Sequence, residues 1–89
     1  MTRDQVLAWL DARRPPPPHA LRERLRSAVH DAPEDLVPHL ARLGRELLDG
    51  VAARPTGGRE LALDLLAADA FATYAFEAQA EGGGSTHET

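Results

Sequence analysis

Residues 61–80 of this chain read LALDLLAADAFATYAFEAQA, the longest largely apolar stretch of the sequence. At about 100° per residue, the stretch fits a helix that is apolar on nearly every side. A narrow polar strip near Glu60 and Asp64 is the main interruption, and Asp69 is predicted to be a buried acid among large side chains. A helix of this kind must be enclosed by its own domain, by a second copy or by a partner.

The composition favours helices in the rest of the chain as well. The 89 residues are 43% hydrophobic, mainly Ala and Leu, and only 4% are aromatic. Such residues favour helices over strands. We therefore expect an all-α fold: a small bundle of three to four helices with a long, nearly all-round apolar C-terminal helix. About 65–70 residues would be able to pack, a size at which a single core is only marginally stable.

Capping residues and prolines divide the predicted single domain, residues 1–81, into helices. Thr2 and Gln5 form a capping-box pattern ahead of a helix at 3–13. The proline run 15–18 ends that helix and is expected to be a stiff, extended linker. The remaining helices are predicted at 19–30, 38–52 and 59–81.

Glycine and proline positions refine this prediction. At Pro38 we expect either the start of a new helix or a kink, because an interior proline removes a backbone hydrogen bond. Gly44 interrupts a predicted helix and indicates close approach of another helix. The Gly-rich tail 82–89 lacks apolar anchors and is expected to be disordered.

Several function classes are disfavoured by the sequence. There is no cysteine, which excludes disulfides, thiolate metal sites and cysteine nucleophiles. Asp64 and Asp69 break the longest apolar run, so no membrane span is expected, and the first residues do not fit a secretory signal. A cytoplasmic location is the expectation.

No catalytic, cofactor-binding or metal-binding residues are predicted. The four histidines have no metal-ligand spacing; His30 is expected at a helix end and His39 on the surface. Asp69 is the strongest candidate for chemistry, because a carboxylate on an apolar face is costly unless it is paired. Its structural interpretation is a hydrogen-bonded carboxylate, paired with an arginine of the third helix such as Arg42 or Arg45, or with a tyrosine or backbone group. A position at a solvent-facing gap between helices is the other structural alternative.

Charge is distributed unevenly along the chain, whose formal net charge is −4. All ten basic residues are arginines, and six of them lie within residues 1–30. This asymmetry is compatible with a nucleic-acid-binding arm at 13–26, but more simply with two surfaces of one domain that attract each other. An acidic protein is repelled by nucleic acid at long range.

Residues 65–77, LLAADAFATYAFE, resemble a helix of trans-type polyprenyl diphosphate synthases. Those enzymes hold magnesium and diphosphate with aspartate-rich motifs of the DDxxD kind, and this chain has no two adjacent aspartates. The resemblance therefore transfers no catalytic residue.

The main functional hypothesis is a non-catalytic interaction or assembly protein, either homo-oligomeric or a subunit of a larger complex. The predicted interface residues are Leu65, Phe71, Tyr74 and Phe76. One alternative is a nucleic-acid-binding or regulatory module that uses the Arg-rich segment 13–26. A second alternative is a small enzyme or ligand carrier with Asp69 in a cavity.

Overall fold

A computed structural model describes residues 1–54 and 58–87, with side chains as far as Gly82. The described residues form four helices and no strand: α1 (Arg3–Asp11), α2 (His19–Ala28), α3 (Leu36–Ala52) and α4 (Arg59–His87). The predicted all-α fold, a small helical bundle, is therefore confirmed.

The start of α1 has the capping box that the sequence predicts. The Gln5 amide donates to Thr2 Oγ1 at 3.2 Å, and the Thr2 amide donates to Gln5 Oε1 at 2.9 Å. The helix ends at Asp11 rather than at 13, because the Arg13 amide bonds to the carbonyl of Leu10, three residues back, at 3.0 Å.

Two other helix ends also differ by two residues from the predicted bounds. α2 ends at Ala28 rather than at 30, because Val29 adopts an extended backbone with φ −73° and ψ 137°. α3 begins at Leu36 rather than at 38, and Pro38 is its third residue. The missing N–H of Pro38 is tolerated there, since the first-turn amides of a helix have no intrahelical partner.

The last helix extends beyond its predicted end at 81. The backbone of α4 is helical as far as His87, and the disorder expected from the sequence for the Gly-rich tail stays a prediction. Residues 88–89 lie outside the described part of the chain.

The core lies between one side of α4 and the apolar stripes of the other three helices. α4 packs most extensively against α3 and also contacts α2. The buried apolar side chains are Val6, Leu7 and Leu10 of α1, Leu25 of α2, Leu40 and Leu43 of α3, and Ala67, Ala68, Phe71, Ala75 and Ala78 of α4, together with Val29. Phe71 is the largest of these that is fully buried.

Polar and aromatic contacts attach the C-terminal end of α1 to α4. The Trp9 ring meets Tyr74 edge to face, with centroids 5.9 Å apart, and its Nε1 donates to Glu81 Oε1 at 3.3 Å. The Arg13 guanidinium lies 3.8 Å from the centre of the Trp9 ring and donates to Glu81 Oε2 at 2.9 Å. This group joins residues that are far apart in sequence.

α3 approaches α4 closely at Gly44. A Cβ atom at this position would lie 3.2 Å from the carbonyl oxygen of Ala68 and 3.4 Å from Cβ of Phe71. The predicted close helix contact at Gly44 is confirmed. By contrast, Gly50 in the same helix has no atom within 4 Å of such a Cβ.

Substituting each glycine with alanine separates helix propensity from packing. Gly50→Ala is expected to raise the free energy of unfolding by about 0.5–1 kcal/mol, because alanine is the better helix former. Gly44→Ala has the same gain in helix propensity, but its Cβ atom crowds the α4 backbone. The free energy of unfolding of this variant is therefore expected to be lower than that of Gly50→Ala by about 1 kcal/mol or more. Urea denaturation followed by circular dichroism measures both; equal gains at the two positions would contradict the close contact.

Candidate interaction surface

Three short helices cover only one side of α4, and the opposite side is exposed. On this outer face of α4, Phe76 is 75% exposed, Leu66 57% and Leu65 45%. Ala62, Asp69, Ala72, Thr73 and Gln79 lie on the same exposed side. The outer face is thus mainly apolar, with one acid near its middle. Leu48 of α3, itself 51% exposed, is a further large apolar side chain at the surface.

A groove between α3 and α4 borders the outer face. It encloses about 390 Å³ and is lined mainly by apolar and small side chains, including Val37 and Leu48 of α3 and Ala72 and Phe76 of α4. Among the described residues that line it, Arg45 alone is charged. The groove and the outer face share Ala72, Phe76 and Gln79, so they form one continuous surface.

The four predicted interface residues do not all lie on this surface. Leu65 and Phe76 do. Phe71 is fully buried in the core of the chain, so the prediction that it serves an interface is wrong for this folded state. Tyr74 is half-buried against Trp9 on the side of α1. The two sides of α4 are similarly apolar in sequence, and packing alone determines which one is free.

Asp69 is exposed, so the prediction of a buried acid at this position is wrong. The buried acid is Asp64, which is 4% exposed and lies on the same side of α4 as Phe71. From the sequence, Asp64 is predicted to lie in the polar strip of the helix. The position of Asp64 on the same side of the helix as Ala67 and Phe71 indicates burial, but the apolar residues around Asp69 indicate burial of that acid equally well.

Two arginines from other parts of the chain neutralise Asp64. Arg24 Nε lies 2.5 Å from Oδ1, and Arg54 Nη2 lies 2.8 Å from Oδ2. The hydrogen bond from Arg24 is the main reason that the pKa of Asp64 is lowered from its ordinary value of 3.8, with Arg54 acting in the same direction. Burial opposes this shift but is outweighed. These ion pairs connect α4 to α2 and to the end of α3.

Removing the charge of Asp64 tests this network. We expect Asp64→Asn to lower the free energy of unfolding by about 2 kcal/mol at neutral pH, since hydrogen bonds to charged groups are worth about 1.5–3 kcal/mol. Because the folded-state pKa is lowered, the stabilisation is complete above pH 3.8 and is lost as the pH falls through the folded-state pKa. The free energies of unfolding of wild type and variant should therefore become equal at acidic pH.

Asp49→Asn is the matched control, because Asp49 is an exposed acid with no ion pair in the described residues. Its stability should stay within about 0.5 kcal/mol of wild type. Equal effects of the two substitutions in denaturant titrations would show that the Asp64 network does not stabilise the fold.

Most arginines of the segment 13–26 are paired with acids of the same chain. Arg24 binds Asp64, and Arg13 binds Glu81. Asp11 accepts Arg26 Nη1 at 2.7 Å and Arg22 Nη2 at 3.1 Å; the Arg26 hydrogen bond is the largest cause of the lowered pKa of Asp11. The pairs of Arg24 and Arg13 join the basic N-terminal part of the chain to α4, whereas the two pairs of Asp11 lie within that N-terminal part.

His39 is fully buried, so the predicted surface position is wrong. Its Nδ1 atom lies 3.6 Å from Glu34 Oε1, and the His30 ring meets it edge to face at a centroid distance of 5.1 Å. Neither ring nitrogen forms a hydrogen bond within the described structure. Burial lowers the pKa of His39 from its ordinary value of 6.5, and the charge of His30 adds to this effect, whereas Glu34 opposes it.

A buried neutral histidine makes the fold sensitive to mild acid. The unfolded chain binds a proton at His39 near pH 6.5 and the folded chain does so only at lower pH, so stability should fall as the pH drops below 6.5. The slope from this group is at most about 1.4 kcal/mol per pH unit. We expect His39→Leu to remove it, whereas His19→Leu, at an exposed position of α2, should retain it. Parallel pH profiles of wild type and His39→Leu, measured by thermal denaturation, would contradict this assignment.

Two exposed charges at the candidate surface have no partner in the parts of the chain that the structure describes. They are Arg45 at the edge of the groove and Asp69 on the outer face of α4. Arg42, the other arginine considered for Asp69, binds Glu34 instead. The ion pair expected between Asp69 and the third helix is therefore not formed within one copy of the chain.

The described residues give no support for a metal site or a membrane-spanning helix. They include no group of three or more acidic or histidine side chains placed to hold a metal ion. None of the helices, over the part of the chain described, has the combined length and apolarity that a membrane crossing needs. No protein-family model, curated protein or solved structure matches this chain.

Proposed function

We propose that this chain is a small, non-catalytic interaction protein that assembles with a second copy of itself through the outer face of α4 and the adjoining groove. The observation that carries the proposal is the continuous apolar surface of Leu65, Leu66, Phe76 and Leu48, all of which are exposed in the isolated chain. Monomeric proteins rarely expose contiguous apolar patches larger than a few hundred Å².

Self-association also fits the limited size of the core. The three helices that cover α4 have one apolar stripe each, and all three stripes are used on its inner side. The part of the chain that the structure describes has no further helix to place over the outer face. A second copy supplies an apolar helix of matching length and extends a core that is marginal alone.

A second copy is favoured over other occupants by the charges of the surface. The outer face contributes one unpaired acid, Asp69, and the groove edge one unpaired base, Arg45, as far as the described residues extend. A surface that carries one charge of each sign is complementary to itself when two copies are related by a two-fold axis.

The alternative functions draw less support. Arg13, Arg22, Arg24 and Arg26 are held in ion pairs with acids of the chain, which leaves little of the segment 13–26 free for nucleic-acid phosphates. An enzyme or carrier built around Asp69 would need that carboxylate in a cavity, and it is exposed. The proposal keeps the cytoplasmic location expected from the sequence, which cell fractionation can test.

Light scattering coupled to size-exclusion chromatography tests the proposal directly. Wild type is expected to show about twice the chain mass of 9.6 kDa at micromolar concentrations and above. Phe76→Asp should shift the mass towards 9.6 kDa. Burial of a phenylalanine side chain is worth about 1.5–3 kcal/mol, and each dimer loses two, so the dissociation constant should rise at least about 100-fold.

Ala8→Asp is the matched control, since it adds the same charge at an exposed position of α1 away from the groove. It should leave the mass unchanged. A wild-type mass of 9.6 kDa over the whole concentration range would overturn the proposal, as would a Phe76→Asp chain that associates like wild type.

A further inference from the structure

The exposed residues of α4 define the seam of a helix pair. Six of the exposed positions along one line of the helix recur at alternating spacings of three and four residues, which is the heptad spacing of a two-helix contact, and the exposed Leu66 and Thr73 flank that line. The six residues of this seam are Ala62, Leu65, Asp69, Ala72, Phe76 and Gln79, and all of them are exposed. One acid thus lies in the middle of a contact line that holds one leucine and one phenylalanine.

The acid restricts how two such seams can pack. A parallel pair in register places Asp69 against Asp69 of the second copy, and so does an antiparallel pair centred on this residue. Both arrangements bring like charges together in an apolar contact, which is strongly unfavourable. The two-fold axis of a stable pair must therefore lie away from Asp69.

We infer that two copies pair through α4 in an antiparallel register centred between residues 70 and 71, with Asp69 of each copy bound to Arg45 of the other. In this register Leu65 lies opposite Phe76, Asp69 opposite Ala72, and Ala62 opposite Gln79. The large side chains meet each other, and the acid meets a small residue. The inference rests on the proposed self-association and adds its orientation and its specifying ion pair.

Arg45 lies at the position along the axis of α4 that this contact requires. Its neighbour Gly44 packs against α4, where a Cβ atom on Gly44 would lie 3.2 Å from the Ala68 carbonyl oxygen and 3.7 Å from the Ala72 nitrogen. Arg45 and Ala72 line the same groove. An Asp69 carboxylate placed over Ala72 of the other copy therefore reaches the groove edge on which Arg45 lies. The two-fold axis forms this ion pair twice.

Pairing in this way also fills the groove. The groove is bounded by α3 and α4 of one copy, and the seam of the second α4 lies along it. The two α3–α4 pairs then form a four-helix arrangement whose centre contains Leu48 and Phe76 of both copies. The exposed apolar residues of one chain thereby become the core of the assembly.

Charge reversal on separate chains tests the ion pair. Arg45→Asp and Asp69→Arg are each expected to weaken self-association at least about tenfold, because each brings like charges together across the axis. Mixed in equal amounts, the two variants should recover a dimer of near wild-type affinity, since one ion pair keeps its original sign and the other re-forms with its sign reversed. Native mass spectrometry identifies the mixed dimer. Arg59→Asp, the same charge change at an exposed position outside the seam, should leave affinity unchanged.

Cysteine cross-linking tests the orientation in a chain that has no native cysteine. Ala62→Cys mixed with Gln79→Cys should form a disulfide-linked pair on mild oxidation. Ala62→Cys alone should not, since its two copies would lie about 26 Å apart along the helix axis at 1.5 Å per residue. Efficient cross-linking of Ala62→Cys with itself would indicate a parallel pair and overturn the inference.

The outcomes separate this inference from the function on which it rests. A wild-type chain that stays monomeric overturns both. A wild-type dimer whose charge-reversed chains fail to recover on mixing, or whose cross-links indicate another register, overturns the inference alone and leaves self-association standing.

Discussion

At Gly44 the backbone of α3 touches the turn of α4 at residues 68–72, and this contact fixes the rotation of α4 in the bundle. A larger residue there would separate the two helices or turn α4 about its axis. With the rotation fixed, Phe71 and Ala75 face the core, and Leu65 and Phe76 face outward. Because of this single close contact, the apolar side chains of α4 that do not fit into the core lie on the surface of the chain.

The polar contacts of the fold also hold the inner side of α4 against the bundle. Arg24 and Arg54 hold Asp64 on the inner side of α4, where its burial would otherwise be costly. At the other end of the core, Trp9 and Glu81 join α1 to α4. These contacts tie α4 to the bundle on its inner side and at its flank, and none of them involves the outer face. The interior and the candidate interface are therefore served by different residues.

Local signals in the sequence predicted the fold well. The Thr2–Gln5 capping box and Gly44 each act within one helix turn or one helix pair, and both have the predicted effect. The orientation of α4 was beyond such reasoning, because both of its sides are apolar and helical periodicity gives no preference between them. Burial was predicted for Asp69 instead of Asp64 for a related reason. The partners of Asp64 lie on other elements, and periodicity along α4 does not reveal them. Leu65 and Phe76 were identified as surface candidates by size, and Phe71 was included because it is equally large.

The contact of Trp9 with Tyr74, Arg13 and Glu81 has a spectroscopic consequence. Trp9 is the only tryptophan in the chain, so fluorescence excited at the red edge of the protein spectrum originates from this one place. That place lies at the junction of α1 and α4, away from the outer face and the groove. Its emission is consequently an optical signal for the docking of the first helix, recorded separately from any event on the exposed side of α4.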